Sequence, residues 1–403
     1  MPLGWIDFSK SERNKVLSVL DLLSEAGTLD ELGIAPIRDG FANLFFPGTS
    51  TIQTRAKYYL IVPYAFKDME NNRETNPNQM LRDYDDVEKV CAKILLENAQ
   101  DSEGIIGNRA LAQNHWVKRT PSDIYWSGLR SYGIFSGGNI SLSEYVRVMC
   151  ALKKQKNTLM ELGKRSDQAE EFESDDKDSG AFLRKQFWKI PTYSDSWKET
   201  LNIRLTPEEG SFLKRQILTA YPNSMMGIIL SHKMIDAFQC GSFENLQSMI
   251  FRFPEQIQYD YYLALAFSRF LYVLRVLYNI MVSAGENNDA NSEWGIIGDK
   301  LSSFSDVDLE GIIARLGIHG YLPLCSFLKN SRKLMCDNDV EGLKFEIQRR
   351  EKELKKNRAK TLYPGQFDPQ SWFGGKLLDY RFGNAKVIIK DIFESEGVHV
   401  EST

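Results

Sequence analysis

Apolar side chains recur at helical spacing along most of this 403-residue chain. Between Met80 and Gln100, for example, Tyr84, Cys91 and Leu95 fall on one side of a helix. The polar residues that begin and end helices are frequent, whereas the alternating pattern of a half-buried strand is rare. The pattern therefore predicts a mainly helical protein.

Capping residues locate several of these helices. Thr120-Pro121-Ser122-Asp123 and Thr206-Pro207-Glu208-Glu209 each combine a cap, a first-turn proline and an acidic residue at the third helical position. Further helix starts are predicted at Ser9, Pro36, Pro254 and Ser305, and a long charged helix from Asp339 to Lys360. A small hairpin between Gly104 and Gly138 is the one β element that we expect.

The composition changes between Lys164 and Ala181, where seven acidic residues accompany three basic and three hydrophobic ones. Such a segment buries too little apolar surface to fold by itself and is typical of a linker. We therefore expect a multi-helix protein of two domains: a helical N-terminal domain over residues 1–163, an acidic linker over 164–181 and a helical C-terminal domain over 182–403.

The apolar run from Tyr261 to Ala284 is long enough to span a bilayer. Arg269 and Arg275 lie near its middle, however, and each would cost about 2.5–3.5 kcal/mol in a membrane. A buried central helix is the better interpretation. The start of the chain lacks the pattern of a signal peptide, and the five cysteines form no C-x-x-C pair. We expect a cytoplasmic protein that makes no contact with a membrane.

The formal net charge of −4 does not indicate a nucleic-acid-binding protein, but it conceals a basic segment. Between Gly104 and Met160 only Asp123 and Glu144 oppose eight cations, a local net charge of +6. Aromatic residues are interleaved with these cations. The cations are Arg109, Lys118, Arg119, Arg130, Arg147, Lys153, Lys154 and Lys156.

Within this segment, the order helix, short turn, helix and Gly-Gly turn suits a helix-turn-helix or small winged-helix-like element. Ser122, Trp126 and Arg130 recur every four residues, so they share one side of the predicted helix. Arg130 would reach a base edge, and Lys118 and Arg119 would contact phosphate. The alternative is that Trp126 and its neighbour Tyr125 are core residues and the charges are merely solvated.

The late charged helix is the second candidate. Eight lysines and arginines between Lys344 and Lys360 face three glutamates, beside a narrow apolar stripe. Such a helix would pack by its stripe and offer its cations to phosphate or an acidic partner; the alternative is an ordinary surface helix. The nucleic-acid-binding candidates here are Arg349, Arg350, Lys352, Lys355 and Lys356.

Earlier in the chain, Arg55 joins a polar turn to an apolar run, where it would either hold phosphate or pair with an N-terminal carboxylate. The densest acidic group in the N-terminal half comprises Asp83, Asp85, Asp86 and Glu88, which we interpret as a solvated helix face. The chain lacks a P-loop, zinc-ligand spacing and a G-x-S-x-G elbow. We assign no catalytic residue, metal ligand or cofactor.

Five segments together resemble an uncharacterised bacterial family of the domain-of-unknown-function kind. They are GWIDFS from Gly4, the run from Ile37 to Tyr64, GIIG from Gly104, PSDIYWSGLRSYGI from Pro121 and LDYRFGNAKVIIKDI from Leu378. Genes of this family lie near helicase or phospholipase-D-like nuclease genes in bacterial defence regions. The resemblance covers the full chain and implies a role in anti-phage defence or DNA processing, but it supplies no active-site residues.

The sequence thus favours a non-catalytic subunit of a bacterial anti-phage defence or DNA-processing complex. Its basic patches would hold DNA or RNA, and its exposed helices would hold a helicase or nuclease partner. Two alternatives stay open. One is a metal-dependent nuclease whose carboxylates meet only in the fold; the other is a structural scaffold protein that never contacts nucleic acid.

Overall fold

The computed structural model describes residues 30–99, 101–165 and 187–398. Over these residues the protein is mainly helical, which confirms the predicted fold class. The one β feature in the described part of the chain is an isolated antiparallel bridge between Phe135 and Trp188. The hairpin expected between Gly104 and Gly138 is therefore wrong: helices occupy this segment, and among the described residues no pair of strands is present that would form the wing of a winged helix.

The chain divides into two compact units, each assembled from distant segments. Unit 1 comprises residues 1–42 and 243–380, and unit 2 comprises residues 43–242 and 381–403. The predicted helix that starts at Ser9 and most of the predicted linker lie outside the described residues. The division into 1–163, 164–181 and 182–403 stays a prediction.

The α-helices of the described residues follow the capping signals closely. They are α1 (Ala35–Phe45), α2 (Tyr58–Glu70), α3 (Pro77–Asn98), α4 (Asn108–Ala112), α5 (Pro121–Ser131), α6 (Leu142–Arg165), α7 (Pro207–Ala220), α8 (Met225–Ser231), α9 (Glu255–Val282), α10 (Asn288–Ile297), α11 (Leu301–Phe304), α12 (Leu309–Leu316), α13 (Leu322–Cys336), α14 (Val340–Lys355) and α15 (Phe382–Ser395). Short 3-10 turns lie between α8 and α9 and after α14.

Unit 1 is built around α9, the long apolar helix. It is the one helix of the described residues that is long and apolar enough to cross a membrane, and 72% of its most apolar window is buried inside the protein. Arg275 in its middle is 7% exposed and donates to the Lys376 carbonyl at 2.7 Å. Asn279 exchanges two hydrogen bonds with the backbone of Phe373. These contacts confirm the prediction of a central buried helix.

A buried polar network joins α9 to the late helix α14 within unit 1. The Glu351 carboxylate is fully buried and accepts hydrogen bonds from the Tyr278 hydroxyl and from the backbone and hydroxyl of Thr361. Burial acts to raise the pKa of Glu351, but these hydrogen bonds hold it below its ordinary value. The network fixes one side of α14 in the interior.

Unit 2 has an aromatic core around α2, α5 and α6. Phe66 stacks on Tyr84 with ring centroids 3.7 Å apart and on Trp188 at 5.6 Å. Trp126 and Tyr145 contact the same cluster edge-on. Because aromatic side chains bury large areas, this cluster positions α5 and α6, the helices that carry or adjoin most of the predicted cations.

Two ion pairs tie the segment before α2 to later parts of unit 2. Arg55 binds the Asp391 carboxylate of α15 through Nε and Nη2, and the Ala56 amide donates to the same carboxylate at 2.7 Å. Lys57 donates to Glu209 of α7 at 2.7 Å, with both side chains buried. Of the two alternatives for Arg55, the internal ion pair is the one formed. Its carboxylate is that of Asp391 on α15 and not the N-terminal carboxylate expected from the sequence.

Candidate nucleic-acid interface

Helix α5 begins with the predicted capping box at Thr120 and Asp123, with Pro121 in its first turn. The two residues that precede it, Lys118 and Arg119, are exposed. No carboxylate of the described residues lies within 4.0 Å of either cation. The start of the helix fixes the backbone next to these two cations, so their positions are defined. Among the described residues, no carboxylate neutralises their charge.

Ser122 and Trp126 do not lie on the surface with them. The Ser122 amide donates to buried Glu88 at 2.7 Å, and the serine is 1% exposed. Trp126 is 6% exposed and donates from its indole nitrogen to the Ile140 carbonyl at 3.0 Å. Trp126 and its neighbour Tyr125 are thus core residues, as the alternative interpretation has them. The side of α5 expected to read base edges faces the core.

Arg130 lies further along α5 and is half-buried. Its guanidinium donates to the side chain of Asn139 and lies 3.5 Å from the Ile140 carbonyl. The residue lines a shallow cleft together with Ser127, Ser131, Ser136, Gly138 and Asn139. Arg130 is therefore held against the turn that follows α5 rather than projecting from the helix.

Helix α6 carries four further cations of the basic segment, and the remaining one, Arg109, is exposed on α4. Arg147 and Lys154 are exposed and seven residues apart, which places them on one face of the helix. Lys156 is exposed as well, and no described carboxylate lies within 4.0 Å of these three. Lys153 instead donates to the Met69 carbonyl and to Asn72. The first part of α6 thus adds to the cationic surface of unit 2.

Most cations of the late basic run are used inside unit 1. Arg349 pairs with Glu346 at 2.8 Å, an interaction that lowers the pKa of Glu346. Arg350 is 5% exposed and donates to the Leu32 carbonyl, and Lys355 is 8% exposed beside Glu351. Lys344 and Lys360 also have carboxylate partners. An ion pair within the protein leaves little charge for a phosphate.

Lys352 and Lys356 are the two candidates of the late run that remain exposed without a described ion pair. They lie one turn apart at the end of α14, where Lys356 has a positive φ of 54°. The structure therefore reduces the second basic patch from five candidate residues to two.

Glu88 is a residue whose surroundings the sequence interpretation missed. Within the acidic group assigned to a solvated face, Asp85 and Asp86 are exposed, but Glu88 is 2% exposed. Burial raises its pKa to about 8, against the opposing hydrogen bond from Ser122. The signal was present in the sequence, because Glu88 falls at helical spacing between Tyr84 and the buried Cys91.

A second missed feature is a groove between α3 and α4. It encloses about 460 Å³, and two exposed or half-exposed lysines, Lys89 and Lys93, lie on its α3 wall. Neither lysine has a carboxylate of the described residues within 4.0 Å. They precede the basic segment that begins at Gly104, and acidic residues on the same helix balance their charge in the sequence.

The structure groups no three His, Cys, Asp or Glu side chains of the described residues into a site that could hold a metal ion. The carboxylates nearest the basic segment are engaged differently. Glu88 binds the first turn of α5, and Glu70 accepts from the Tyr145 hydroxyl and from Lys67. These side chains support the fold of unit 2.

Comparison with known protein families gives a match for one part of the chain. Residues 1–156 match the model of a family of unknown function, DUF6361. No curated protein and no solved structure matches the chain. The matched range contains the cations of α5 and α6 and the groove between α3 and α4.

Proposed function

We propose that this protein is a nucleic-acid-binding, non-catalytic subunit of a bacterial anti-phage defence or DNA-processing complex in the cytoplasm. The observation that carries the proposal is the contrast between the two basic regions. Most cations of the late run pair with carboxylates, whereas Lys118, Arg119, Arg147, Lys154 and Lys156 are exposed and unpaired among the described residues. Exposed cations are available to release counterions from a nucleic-acid backbone.

In this mechanism unit 2 holds the phosphate backbone. Lys118 and Arg119 contact phosphates beside the first turn of α5, and Arg147 and Lys154 extend the contact along α6. Arg130, restrained by Asn139, supports this surface from its edge. Ser122 and Trp126 do not contact nucleic acid, because both are buried; they only stabilise the fold of unit 2. Lys352 and Lys356 form a smaller, separate patch in unit 1.

A helicase or nuclease partner would dock on exposed helices. Phe345 on the outer side of α14 is 67% exposed, and Leu322 at the start of α13 is 72% exposed. Large apolar side chains that remain in water are a common component of protein interfaces. The family resemblance, with genes beside helicase and nuclease genes, is the reason for naming these partners.

The proposal is tested by fluorescence anisotropy with labelled DNA and RNA oligonucleotides between 50 and 200 mM salt. We expect binding that weakens steeply as salt rises. The charge-reversal variant K118E/R119E should weaken binding and lower the slope of log affinity against log salt by about 2, one for each lost phosphate contact.

The matched control is K300E/K333E, which makes the same change in charge at two exposed residues of unit 1. It should leave affinity within about twofold. Absence of binding at low salt would favour the scaffold alternative. Magnesium-dependent nicking of plasmid would favour the nuclease alternative. Purification from the native host, followed by identification of the co-purified chains, tests for the helicase or nuclease partner.

A further inference from the structure

The groove between α3 and α4 combines positive charge, apolar surface and amide side chains. Lys89 and Lys93 lie on one wall, Asn108 and Asn114 on the other, and Leu96 and Leu111 contribute apolar surface. Its volume of about 460 Å³ is in the range of small-ligand sites. We propose, on the basis of the function proposed above, that this groove binds an unpaired nucleotide of a single-stranded nucleic acid.

The charge pattern fits a phosphate backbone that follows α3. Lys89 and Lys93 are four residues apart, so they project from the same side of the helix about 6 Å apart along its axis. Each lacks a described carboxylate within 4.0 Å. Glu97, four residues further on, also lines the groove and repels phosphate. The backbone is therefore held at the lysine end.

The opposite wall suits a base. Leu111 and Ala112 of α4 offer an apolar surface to its face, and Asn114 offers a side-chain amide to its edge. The Asn108 amide nitrogen already donates to the Ser102 hydroxyl at 2.8 Å, so Asn108 offers its carbonyl oxygen. Asn114 has the left-handed backbone conformation, with φ of 58°, which asparagine tolerates better than most residues. An asparagine amide donates and accepts together, which is the requirement for recognition of a base edge.

A duplex is a poorer ligand for this surface than a single strand. The major groove of a duplex is read by a projecting helix or a two-stranded ribbon, and the described residues contain no such ribbon. The face of α5 expected to do this is buried at Ser122 and Trp126, and its exposed first turn carries Asp123. A concave groove instead accepts a base that is already unstacked, as single-strand-binding proteins do.

The test is steric and leaves the charge unchanged. Ala112→Phe fills the groove from an exposed position at the end of α4. Ala151→Phe makes the same change at an exposed position of α6, outside the groove. Anisotropy is measured with 12-nucleotide single-stranded DNA, single-stranded RNA and the corresponding DNA duplex. Circular dichroism melting confirms that both variants are folded.

We expect Ala112→Phe to weaken single-strand binding about tenfold, the effect of losing contact with one base, while duplex binding changes less than twofold. Ala151→Phe should leave both unchanged. If RNA binds more tightly than DNA, and Ala112→Phe removes the difference, the groove also contacts the 2′-hydroxyl. Should Ala112→Phe fail to fold, Lys89→Gln with Lys93→Gln replaces it, with the same expected preference for the single strand.

The result that overturns the inference is equal binding of single strand and duplex that Ala112→Phe does not affect. If K118E/R119E still weakens that binding, the proposed function survives and only the groove assignment is wrong. If no oligonucleotide binds at low salt, both proposals fail. The two failures are therefore distinguishable in one set of titrations.

Discussion

The carboxylate of Glu88 accepts a hydrogen bond of 2.7 Å from the backbone amide of Ser122, joining the middle of α3 to the first turn of α5. The Ser122 hydroxyl lies 3.3 Å from the second carboxylate oxygen. No described cation accompanies this buried glutamate within 4.0 Å, and the nearby carboxylates of Asp85 and Asp123 act to raise its pKa further. The start of α5 therefore depends on a carboxyl group that is costly to ionise.

This relationship predicts a pH-dependent stability. The pKa of Glu88 in the folded protein is about 8, above its ordinary value of 4.5, so the folded state holds a proton that the unfolded state releases between these values. Stability should fall as pH rises through that window. Glu88→Gln keeps an acceptor for Ser122 and has no proton to lose. In urea unfolding, the free energy of unfolding of the variant relative to that of the wild type should therefore rise by a few kcal/mol between pH 5 and pH 8.

The control for this experiment is Asp86→Asn, an exposed substitution on the same helix. It should leave the pH dependence of unfolding close to that of the wild type. Parallel stability curves for the wild type and Glu88→Gln would contradict the assignment of a raised pKa to Glu88.

The Arg55–Asp391 pair predicts a large loss of stability on removal of one partner. Arg55→Met leaves the Asp391 carboxylate, which is 5% exposed, without its guanidinium. We expect a loss of about 3–5 kcal/mol in the free energy of unfolding. Lys329→Met breaks the exposed pair with Glu310 and should leave the free energy of unfolding nearly unchanged, because water screens this pair. Similar losses in denaturant titrations would show that burial of the pair has no energetic effect.

Substitution by alanine at two helical glycines should change the stability of the protein in opposite directions. A Cβ on Gly128 of α5 would lie 2.5 Å from the Gly48 carbonyl oxygen and 2.6 Å from the Tyr59 hydroxyl. Gly128→Ala should therefore destabilise unit 2 by about 1–3 kcal/mol. A Cβ on Gly295 of α10 meets nothing within 4 Å. Gly295→Ala should instead stabilise by up to about 1 kcal/mol, because alanine favours helix. Thermal melts of the two variants check both signs.

We expect the removal of two unpaired cations at the end of α14 to weaken nucleic-acid binding more than the removal of two paired ones. Lys344 and Arg349 are paired with Glu341 and Glu346, whereas Lys352 and Lys356 are exposed without a described partner. Lys352→Gln with Lys356→Gln should lower the salt slope of oligonucleotide binding by up to about 2. Lys344→Gln with Arg349→Gln should leave the slope unchanged. Equal reductions would mean that the ion pairs open when nucleic acid binds.

Much of the helical fold could be predicted from local sequence signals. Thr120 and Thr206 cap helices in the structure, and Pro254 precedes the buried helix α9. The helix predicted to start at Ser305 begins three residues later, because Asp308 is its cap and Ser305 ends α11. These signals are reliable because a capping side chain acts on amides only two or three residues away. The hairpin prediction was wrong because Gly-Gly turns also connect helices, and the strands that a hairpin needs were not marked by an alternating pattern.

The candidate interface was less predictable, because its outcome depends on neighbours distant in sequence. Asp391 lies 336 residues from Arg55, and no local pattern joins them. The burial of Trp126 depends on Trp188 and Phe66, which lie in other segments. By contrast, the Arg349–Glu346 pair is three residues apart on one helix. That pair was readable from the sequence, since residues three apart on a helix are neighbours.

The hydrogen bonds between α9 and the later segment from Phe373 to Leu378 have a consequence for folding during synthesis. Arg275, Asn279 and Ser268 all rely on backbone groups of that segment for their hydrogen bonds. A nascent chain halted before residue 373 would hold an apolar helix with unsatisfied polar groups in its middle. Neither unit can close during synthesis until its last described segment, 373–380 in unit 1 and 381–398 in unit 2, has left the ribosome, so products stalled before these segments should be targets for chaperones and proteases.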